Sequence, residues 1–412
     1  MKYTVIPILI LCLTACQTTS AEPRQIDSHT WEGVERVVAI GDIHGDYDNY
    51  METLKSAGLV NKRGRWTGGA THLVQTGDIP DRGPDTREIM EHIDKLAEQA
   101  EKDDGRVHLL IGNHEAMNVY GDLRYVTEGE YDEFADRGSK KIQERYFELV
   151  MKDLETNDPE AFAALPENYR EEWFENHPPG FVEHQQAWNP AWNPDGEYAR
   201  RTQGLKAAIK INGNVFVHGG ISEIYADMPL ADITDRAHSE LATFTIQSRG
   251  MLNDACGPFW FRGLAEDEPG DTIGTTPEVL ASILDRLSAK RIVIGHTPTQ
   301  GVIWPRFDAR VVLIDTGISA AYGGFPAYLE IVDGDINAGY PEGKLALPRD
   351  DEARAGYLEQ LLELDPDNPG VRRFINKFEE SENPEPEIPG TDEEATGESA
   401  EDQVERLTCL LG

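Results

Sequence analysis

Short apolar runs that end in tight polar turns recur along this chain, and longer amphipathic stretches separate many of them. Apolar runs of this length, bounded by turn signals, are typical of buried strands. They predict strands over 37–40, 71–76, 107–111, 210–217, 291–294, 311–314 and 328–332. Helical periodicity predicts helices over 47–57, 85–102, part of 129–154, 231–250 and 277–288. This alternation of strands and helices indicates an α/β fold.

Polar residues follow five of the predicted strands at the point where each strand ends. In open α/β sheets, ligands bind beyond the carboxyl ends of the strands, so these turns predict one shared metal site. The candidate ligands are carboxylate, amide and imidazole groups: Asp42, His44, Asp78, Asn113, His218 and His296. This set suits Mn, Fe or Zn and differs from a structural zinc site built on thiolates. His72 and His108 fall inside predicted strands, so we expect them to be core or edge residues.

The chain has 412 residues and a formal net charge of -37. Such an acidic chain lacks the clustered cations that a nucleic-acid backbone requires, so nucleic acid is excluded as a partner. The same acidity gives weight to any arginine near the metal site, because a phosphate anion needs positive charge to hold it.

The first residues have the layout of an export signal, with Lys2 followed by the apolar run 5–13. That run is too short for a permanent transmembrane helix. The ending Leu13-Thr-Ala-Cys16 resembles a bacterial lipoprotein box, which implies cleavage before Cys16 and a lipid on that cysteine. We therefore expect residues 1–20 to be a signal peptide and the protein to be an exported lipoprotein facing the periplasm, with the outer membrane favoured. An ordinary secretory signal cut near Ala21 is the alternative.

The other end of the chain is expected to lie outside the catalytic core. Residues 350–380 predict two helices broken around 365–370, and residues 381–412 form an acidic, Pro-containing tail that we expect to be disordered. Export leaves Cys256 and Cys409 in the mature protein. They form either a disulfide or two unpaired thiols.

Several short motifs occur in an order that resembles the metallophosphoesterases, and within them the phosphoprotein phosphatases. They are Gly41-Asp-Ile-His-Gly45, Gly77-Asp-Ile-Pro-Asp-Arg-Gly83, Gly112-Asn-His-Glu115 and His218-Gly-Gly220. Trp260-Phe-Arg-Gly263 and Gly295-His-Thr297 are most similar to the bacterial Shewanella-like branch. The resemblance implies a two-sheet sandwich flanked by helices over 33–340, with a dimetal site at the carboxyl ends of the strands.

The resemblance also implies how the ligands divide between two divalent ions. Asp42, His44 and Asp78 would hold the first ion, and Asp78 would bridge to the second. The second would be completed by Asn113, His218 and His296. Six ligands are too many for one such ion once water is included, whereas two ions sharing one carboxylate use them all.

By the same resemblance, the activity is hydrolysis of phosphomonoesters by direct attack of a hydroxide that bridges the two ions. Arg82 and Arg262 would neutralise the phosphoryl oxygens. His114 would protonate the leaving oxygen while Asp81 orients it. The expected substrate is a phosphorylated protein, with phosphotyrosine implied by the branch, or a small phosphomonoester. A nucleotide or dinucleoside-polyphosphate hydrolase and an inactive binding lipoprotein are the alternatives.

Residues 116–210 separate two motifs by more residues than is typical of the wider family. They are rich in aromatic and acidic residues. Two hypotheses account for this insertion: a cap that shapes the substrate mouth, or a peripheral helical layer whose aromatic side chains form their own small core.

Overall fold

Two β-sheets form the framework of the molecule. A computed structural model describes residues 24–265 and 275–382. The strands within these ranges are β1 Arg24–Asp27, β2 Thr30–Glu32, β3 Arg36–Ile40, β4 His72–Gln75, β5 Arg106–Leu109, β6 Ala208–Ile211, β7 Asn214–Val217, β8 Arg291–Ile294, β9 Trp304–Arg306, β10 Val311–Leu313, β11 Tyr328–Val332, β12 Asp335–Tyr340 and β13 Gly343–Ala346. One sheet has the order β1-β2-β6-β7-β8-β10-β9, and the other has the order β13-β12-β11-β3-β4-β5.

Helices flank both sheets. They are α1 Tyr47–Ser56, α2 Thr86–Ala100, α3 Asn113–Tyr120, α4 Glu128–Phe134, α5 Ser139–Asn157, α6 Pro159–Ala163, α7 Tyr169–Asn176, α8 Phe181–Trp188, α9 Glu197–Thr202, α10 Leu230–Leu241, α11 Pro277–Arg286, α12 Arg354–Leu364 and α13 Pro369–Glu382. Buried side chains from both sheets and from many of these helices belong to one continuous hydrophobic cluster. The predicted α/β class with two flanked sheets is confirmed.

The register of the parallel strands brings the predicted ligands to one place. Strands β3, β4 and β5 are parallel neighbours, and β7 and β8 are parallel neighbours in the other sheet. Ile40 pairs with Gln75, which pairs with Leu109, so these three strands end at the same level. Val217 pairs with Ile294 in the same way. Each of these five strands is followed within a few residues by a predicted ligand.

Three sequence-based predictions differ from the structure in their boundaries. Residues 210–217 do not form one strand: β6 and β7 are an antiparallel hairpin that turns at Asn212 and Gly213, both with positive φ. Asn-Gly is a favoured pair for such a turn because both residues tolerate the left-handed region. Helix α10 ends at Leu241, well before 250, and the helix expected in 129–154 is interrupted between α4 and α5.

The predictions for the two ends of the chain concern residues that lie largely outside the described ranges. The signal peptide 1–20, Cys16, Cys409 and nearly all of the acidic tail 381–412 lie there, so those expectations stay predictions. The two C-terminal helices are present as α12 and α13, broken at 365–368. Trp304 of β9 packs against Phe374 and Phe378 of α13, which places α13 against the end of the first sheet.

Candidate active site

The carboxylate of Asp78 is the meeting point of side chains from several strand ends. Its Oδ2 atom lies 3.3 Å from Nε2 of His218 and 3.8 Å from Nε2 of both His44 and His114. All four side chains are nearly inaccessible to solvent. One buried oxygen surrounded by three imidazole nitrogens is a geometry suited to a shared cation.

The backbone around these residues is held in an uncommon conformation. Positive φ angles occur at five of the predicted site residues: His44 (47°), Asp78 (61°), Asp81 (72°), Arg82 (68°) and His296 (65°). Non-glycine residues adopt this left-handed region only at an energetic cost, which is sustained where the surrounding structure enforces it. Such clusters concentrate at functional sites.

Close packing around the ligands requires glycine at two positions. A Cβ added to Gly112 would lie 2.1 Å from Oδ1 of Asp78, and one added to Gly295 would lie 2.4 Å from Oδ1 of Asp42. Both distances are far inside van der Waals contact. The glycines that follow β5 and β8 therefore allow the two carboxylates to reach the centre.

Hydrogen bonds fix the tautomers of two histidines. Nδ1 of His44 donates to the carbonyl of Pro80 at 3.0 Å, and Nδ1 of His218 donates to that of Thr76 at 3.0 Å, since a carbonyl only accepts. A neutral ring that donates from Nδ1 presents a lone pair at Nε2. Burial, followed by the nearby His114, lowers the pKa of His44 to about 3, which keeps the ring in this neutral, metal-binding form.

Unpartnered acceptor atoms face the same centre. Nε2 of His218 lies 2.8 Å from Oδ1 of Asn113, so two lone pairs point at each other in the tautomer just described. Nε2 of His296 is buried and has no hydrogen-bond partner. Burial, and then the carboxylates of Asp315 and Asp78, raise the pKa of Asp42 well above its ordinary value. A bound cation relieves all three of these electrostatic conflicts, so the residues fit the metal ions expected from the sequence.

The distances define two overlapping groups of potential ligands, and Asp78 belongs to both. One contains His44 and His114 with Asp78, and the other contains His218 and His296 with Asp78. Asp42 is buried beside them, where its carboxylate accepts from the backbone N–H of His296 at 3.0 Å. The two groups supply ligand atoms for two cations that would share Asp78.

His114 has a partner that sets it apart from the other histidines. Its Nδ1 lies 2.5 Å from Oδ2 of Asp81, and Oδ1 of Asp81 accepts from the side chain of Asn118 at 2.9 Å. Burial alone lowers the pKa of His114, but the carboxylates of Asp78 and Asp81 outweigh it and raise that pKa above its ordinary value. The ring is thereby favoured in its protonated form, which suits a proton donor better than a metal ligand.

Two arginines lie at the edge of this centre. The guanidinium of Arg82 lies over the ring of Tyr125, 3.9 Å from its centroid, and 5.5 Å from that of Tyr322. Arg262 donates from Nη1 to the carbonyl of His296 and to Thr297 Oγ1. The structure thus brings all of the predicted catalytic and metal-ligating residues into one region.

The structure adds supporting residues that sequence reasoning missed. Glu115 is buried, and its carboxylate accepts the backbone N–H groups of Asp78, Ile79 and Gly112 at 2.8–2.9 Å. It therefore fixes the turn that presents the central carboxylate. Its place in the Gly112-Asn-His-Glu115 motif was a usable signal. Glu130, which accepts a hydrogen bond from the backbone of Asp81, is a second supporting residue. No motif pointed to it, because it lies in the insertion.

The insertion packs partly on itself and partly against the site. Tyr131, Phe181 and Val182 form a small hydrophobic cluster separate from the main core. The same segment also contacts the site. The carbonyl of Tyr125 accepts a hydrogen bond from the backbone N–H of Arg82 at 3.0 Å. The carboxylate of Glu130 accepts one from the backbone N–H of Asp81 at 3.0 Å.

Comparison with known proteins agrees with this geometry. A family model described as calcineurin-like phosphoesterase matches residues 35–300. The chain is 32% identical over 312 residues to an uncharacterized protein of Schizosaccharomyces pombe, covering 73% of this chain and 79% of that protein. It is 30% identical over 309 residues to Shewanella-like protein phosphatase 2 of Arabidopsis thaliana, covering 73% of this chain and 76% of the relative. The crystal structure of a cold-active protein-tyrosine phosphatase from a psychrophilic Shewanella matches with a TM-score of 0.58 and 27% identity, covering 78% of this chain and 83% of the other.

Proposed function

This chain belongs to the calcineurin-like phosphoesterase family and to its Shewanella-like protein phosphatase branch, and we propose that its substrates are proteins phosphorylated on tyrosine. It is a metal-dependent hydrolase of phosphomonoesters. The observation that supports the proposed specificity is the presence of two tyrosine rings, Tyr125 and Tyr322, next to the guanidinium of Arg82. The protein-tyrosine phosphatase activity in the name of the matching Shewanella structure agrees with it.

Two divalent ions, Mn, Fe or Zn, would be held by the central residues. Asp42, His44 and Asp78 would hold one ion, and Asp78 would be shared with the other. The second ion would be completed by Asn113, His218 and His296. When bound, such ions lower the pKa of a coordinated water and stabilise charge on the phosphoryl oxygens.

The residues of the chain supply the remaining requirements of the reaction. Arg82 and Arg262 approach the centre from different segments, and each presents a planar guanidinium suited to two phosphoryl oxygens. His114 keeps the proton on Nδ1 against Asp81, and its Nε2 faces the centre. In the protonated ring Nε2 carries the second proton, which would pass to the leaving oxygen while the Nδ1 proton stays in place.

Two tyrosine rings lie beside histidines of the centre. The ring of Tyr125 lies 5.1 Å from that of His114, and the ring of Tyr322 lies 5.2 Å from that of His44. Because His114 is the proposed proton donor, Tyr125 borders the leaving group. A phenyl leaving group gains contact with such rings, whereas the methylene of phosphoserine offers less surface.

The localisation we propose follows from the N-terminal sequence. The lipoprotein-like Leu13-Thr-Ala-Cys16 supports an exported protein anchored by a lipid and facing the periplasm. Of the residues the structure describes, none forms a helix long and apolar enough to cross a membrane. Loss of fatty-acid labelling in Cys16→Ala tests the anchor, and unchanged labelling would overturn it.

Phosphate release from the metal-loaded mature protein tests the proposed activity. A phosphotyrosine peptide, a phosphoserine peptide and a dinucleoside polyphosphate are compared at equal concentration, with Asp78→Asn as the inactive control. We expect the highest kcat/KM for the phosphotyrosine peptide. Equal values for both peptides would refute the specificity, and turnover of the dinucleotide alone would move the assignment to a nucleotide hydrolase.

The aromatic contact has its own test. Tyr125→Leu keeps an apolar side chain but removes the ring, and we expect it to lower the phosphotyrosine-to-phosphoserine ratio of kcat/KM by about 2–10-fold, the worth of an aromatic pair. Tyr169→Leu, in α7, is the matched control because Tyr169 has no role in the site. An unchanged ratio in Tyr125→Leu would remove the ring from the specificity argument.

A further inference from the structure

Two glutamates on one face of helix α4, in the insertion, accept hydrogen bonds from backbone groups of the core. Oε2 of Glu130 accepts from the backbone N–H of Asp81 at 3.0 Å. One turn later, the carboxylate of Glu133 accepts from the N–H groups of Arg87 and Glu88, at the beginning of α2. Glu133 therefore caps a helix, whereas Glu130 contacts the turn that carries a predicted catalytic residue.

The contact made by Glu130 falls where the backbone needs support. Asp81 and Arg82 both have positive φ, which a non-glycine residue keeps only under external restraint. The N–H of Asp81 is held by Glu130, and the N–H of Arg82 is held by the carbonyl of Tyr125. Both acceptors lie in the insertion, so this segment restrains the turn.

The side chain of Asp81 connects this turn to His114, the proposed proton donor. The carboxylate of Asp81 contacts Nδ1 of His114 at 2.5 Å and has 0% of its surface exposed. A change in the backbone at Asp81 therefore moves the group that orients the imidazole. A misplacement of about 1 Å can cost about 100-fold in rate.

The surroundings of Glu130 suit a neutral acceptor. The residue is wholly buried, and its second oxygen, Oε1, lies 3.9 Å from Nε2 of His184. Neither of these two atoms has a hydrogen-bond partner. Burial, followed by the charge of Asp81, raises the pKa of Glu130 well above its ordinary value. Glutamine has the shape of the neutral acid and keeps a carbonyl oxygen that can accept from Asp81.

We propose that Glu130 is a positioning residue of the phosphatase reaction: from the insertion, it holds the Asp81 turn in the conformation that aims His114 at the leaving oxygen. This rests on the proposed role of His114 as proton donor. It gives the insertion a catalytic role that is separate from shaping the substrate mouth.

The test compares leaving groups. A proton donor matters for the phenol of tyrosine, with a pKa of about 10, and matters little for 2,4-dinitrophenyl phosphate, whose leaving group is already acidic. We expect Glu130→Ala to lower kcat for a phosphotyrosine peptide by about 10–100-fold and to change kcat for the dinitrophenyl ester by less than about threefold. Glu130→Gln should recover most of the loss. Glu133→Ala, on the same helix, should affect both substrates equally.

Combination with His114→Asn separates this inference from the proposed function. If His114→Asn itself shows no dependence on the leaving group, the proton-donor role fails and the inference fails with it. Suppose that His114→Asn does show that dependence. The positioning role of Glu130 alone is then refuted if Glu130→Ala lowers kcat equally for both substrates. It is also refuted if the losses of kcat from the two substitutions multiply in the double variant. The proposal is supported if the double variant loses little more kcat for the phosphotyrosine peptide than His114→Asn loses alone.

Folding is checked by thermal unfolding of each variant. Should Glu130→Ala lose the folded state, Glu130→Asp carries the same test, because it withdraws the acceptor by one methylene and stays acidic. The same selective loss on the phosphotyrosine peptide is expected. Full activity of folded Glu130→Asp on both substrates would overturn the proposal.

Discussion

Nδ1 of His114 lies 2.5 Å from Oδ2 of Asp81, and both side chains are buried. The two residues come from different turns, one after β4 and one at the beginning of α3. The contact leaves Nε2 of His114 facing Asp78, 3.8 Å from its Oδ2. The ring thus connects a carboxylate that orients it with the centre where a phosphoryl group would react.

His114→Asn should reveal the role of this ring. We expect kcat for a phosphotyrosine peptide to fall by about 10²–10⁴-fold, as for other lost general acids. The loss for an aryl phosphate with a very acidic leaving group should be far smaller. Steady-state kinetics on both substrates measures the difference, and equal losses would contradict the proton-donor role.

Asp78→Asn should remove metal as well as activity. Asp78 belongs to both groups of potential ligands, so its substitution should weaken the binding of both ions. His296→Asn should weaken the binding of the second ion alone. Elemental analysis of the purified variants, after dialysis against a fixed concentration of Mn²⁺, gives the metal content per chain. Retention of full metal content by Asp78→Asn would show that this carboxylate is not the bridge.

Metal removal should lower thermal stability. An ion that binds the folded chain alone stabilises it by about 2.7 kcal/mol at 100 times its dissociation constant. We expect chelated protein to unfold at a lower temperature and to recover when Mn²⁺ is restored. Asp78→Asn is the control, since its unfolding temperature should respond much less. An identical response in both proteins would place the stabilising ion elsewhere.

Gly112→Ala should damage the centre through packing alone. Its Cβ would lie 2.1 Å from Oδ1 of Asp78 and 2.5 Å from the Asp78 backbone nitrogen. We expect a loss of about 1–3 kcal/mol in the free energy of unfolding, together with weaker metal binding. Gly356→Ala is the matched control: nothing lies within 4 Å of its added Cβ, and it lies in α12. It should stabilise by up to about 1 kcal/mol.

Acid should destabilise the fold through a histidine pair outside the metal centre. Nε2 of His108 lies 3.1 Å from Nδ1 of His72, and burial lowers the pKa of His72 from 6.5 to about 4. Between these values the imidazole of His72 is protonated in the unfolded chain and neutral in the folded one. The contribution of His72 to the free energy of unfolding should therefore fall as pH is lowered through this window and level off below it.

For His72 alone, the difference between 6.5 and about 4 corresponds to roughly 3 kcal/mol. Urea unfolding from pH 7 to pH 4, with chelator in every sample to remove the metal contribution, measures the slope. His72→Gln cannot take up the proton, so its slope should be smaller. A slope identical to that of the unsubstituted protein would assign the acid sensitivity to other groups.

The sequence alone was sufficient to predict those strands and site residues that short local motifs identify. The apolar runs and the turn residues directly after them identified the strands β3, β4, β5 and β8 and the polar groups at their ends. This worked because a residue that leaves a buried strand has a fixed position relative to that strand. The same local reasoning treated 210–217 as one strand, although Asn212-Gly213 was a hairpin signal within it.

Tertiary structure decided everything that depends on approach between distant segments. The register of the parallel strands, the carbonyls that fix the tautomers of His44 and His218, and the placement of Tyr125 beside Arg82 follow no local pattern. Glu130 is the clearest case: it lies in a helix of the insertion, and only packing brings its carboxylate to the backbone of Asp81. Sequence thus determined which groups are available for the chemistry, because motifs are local. The folded chain determined how those groups are held, because burial, close contact and backbone restraint arise only when remote segments meet.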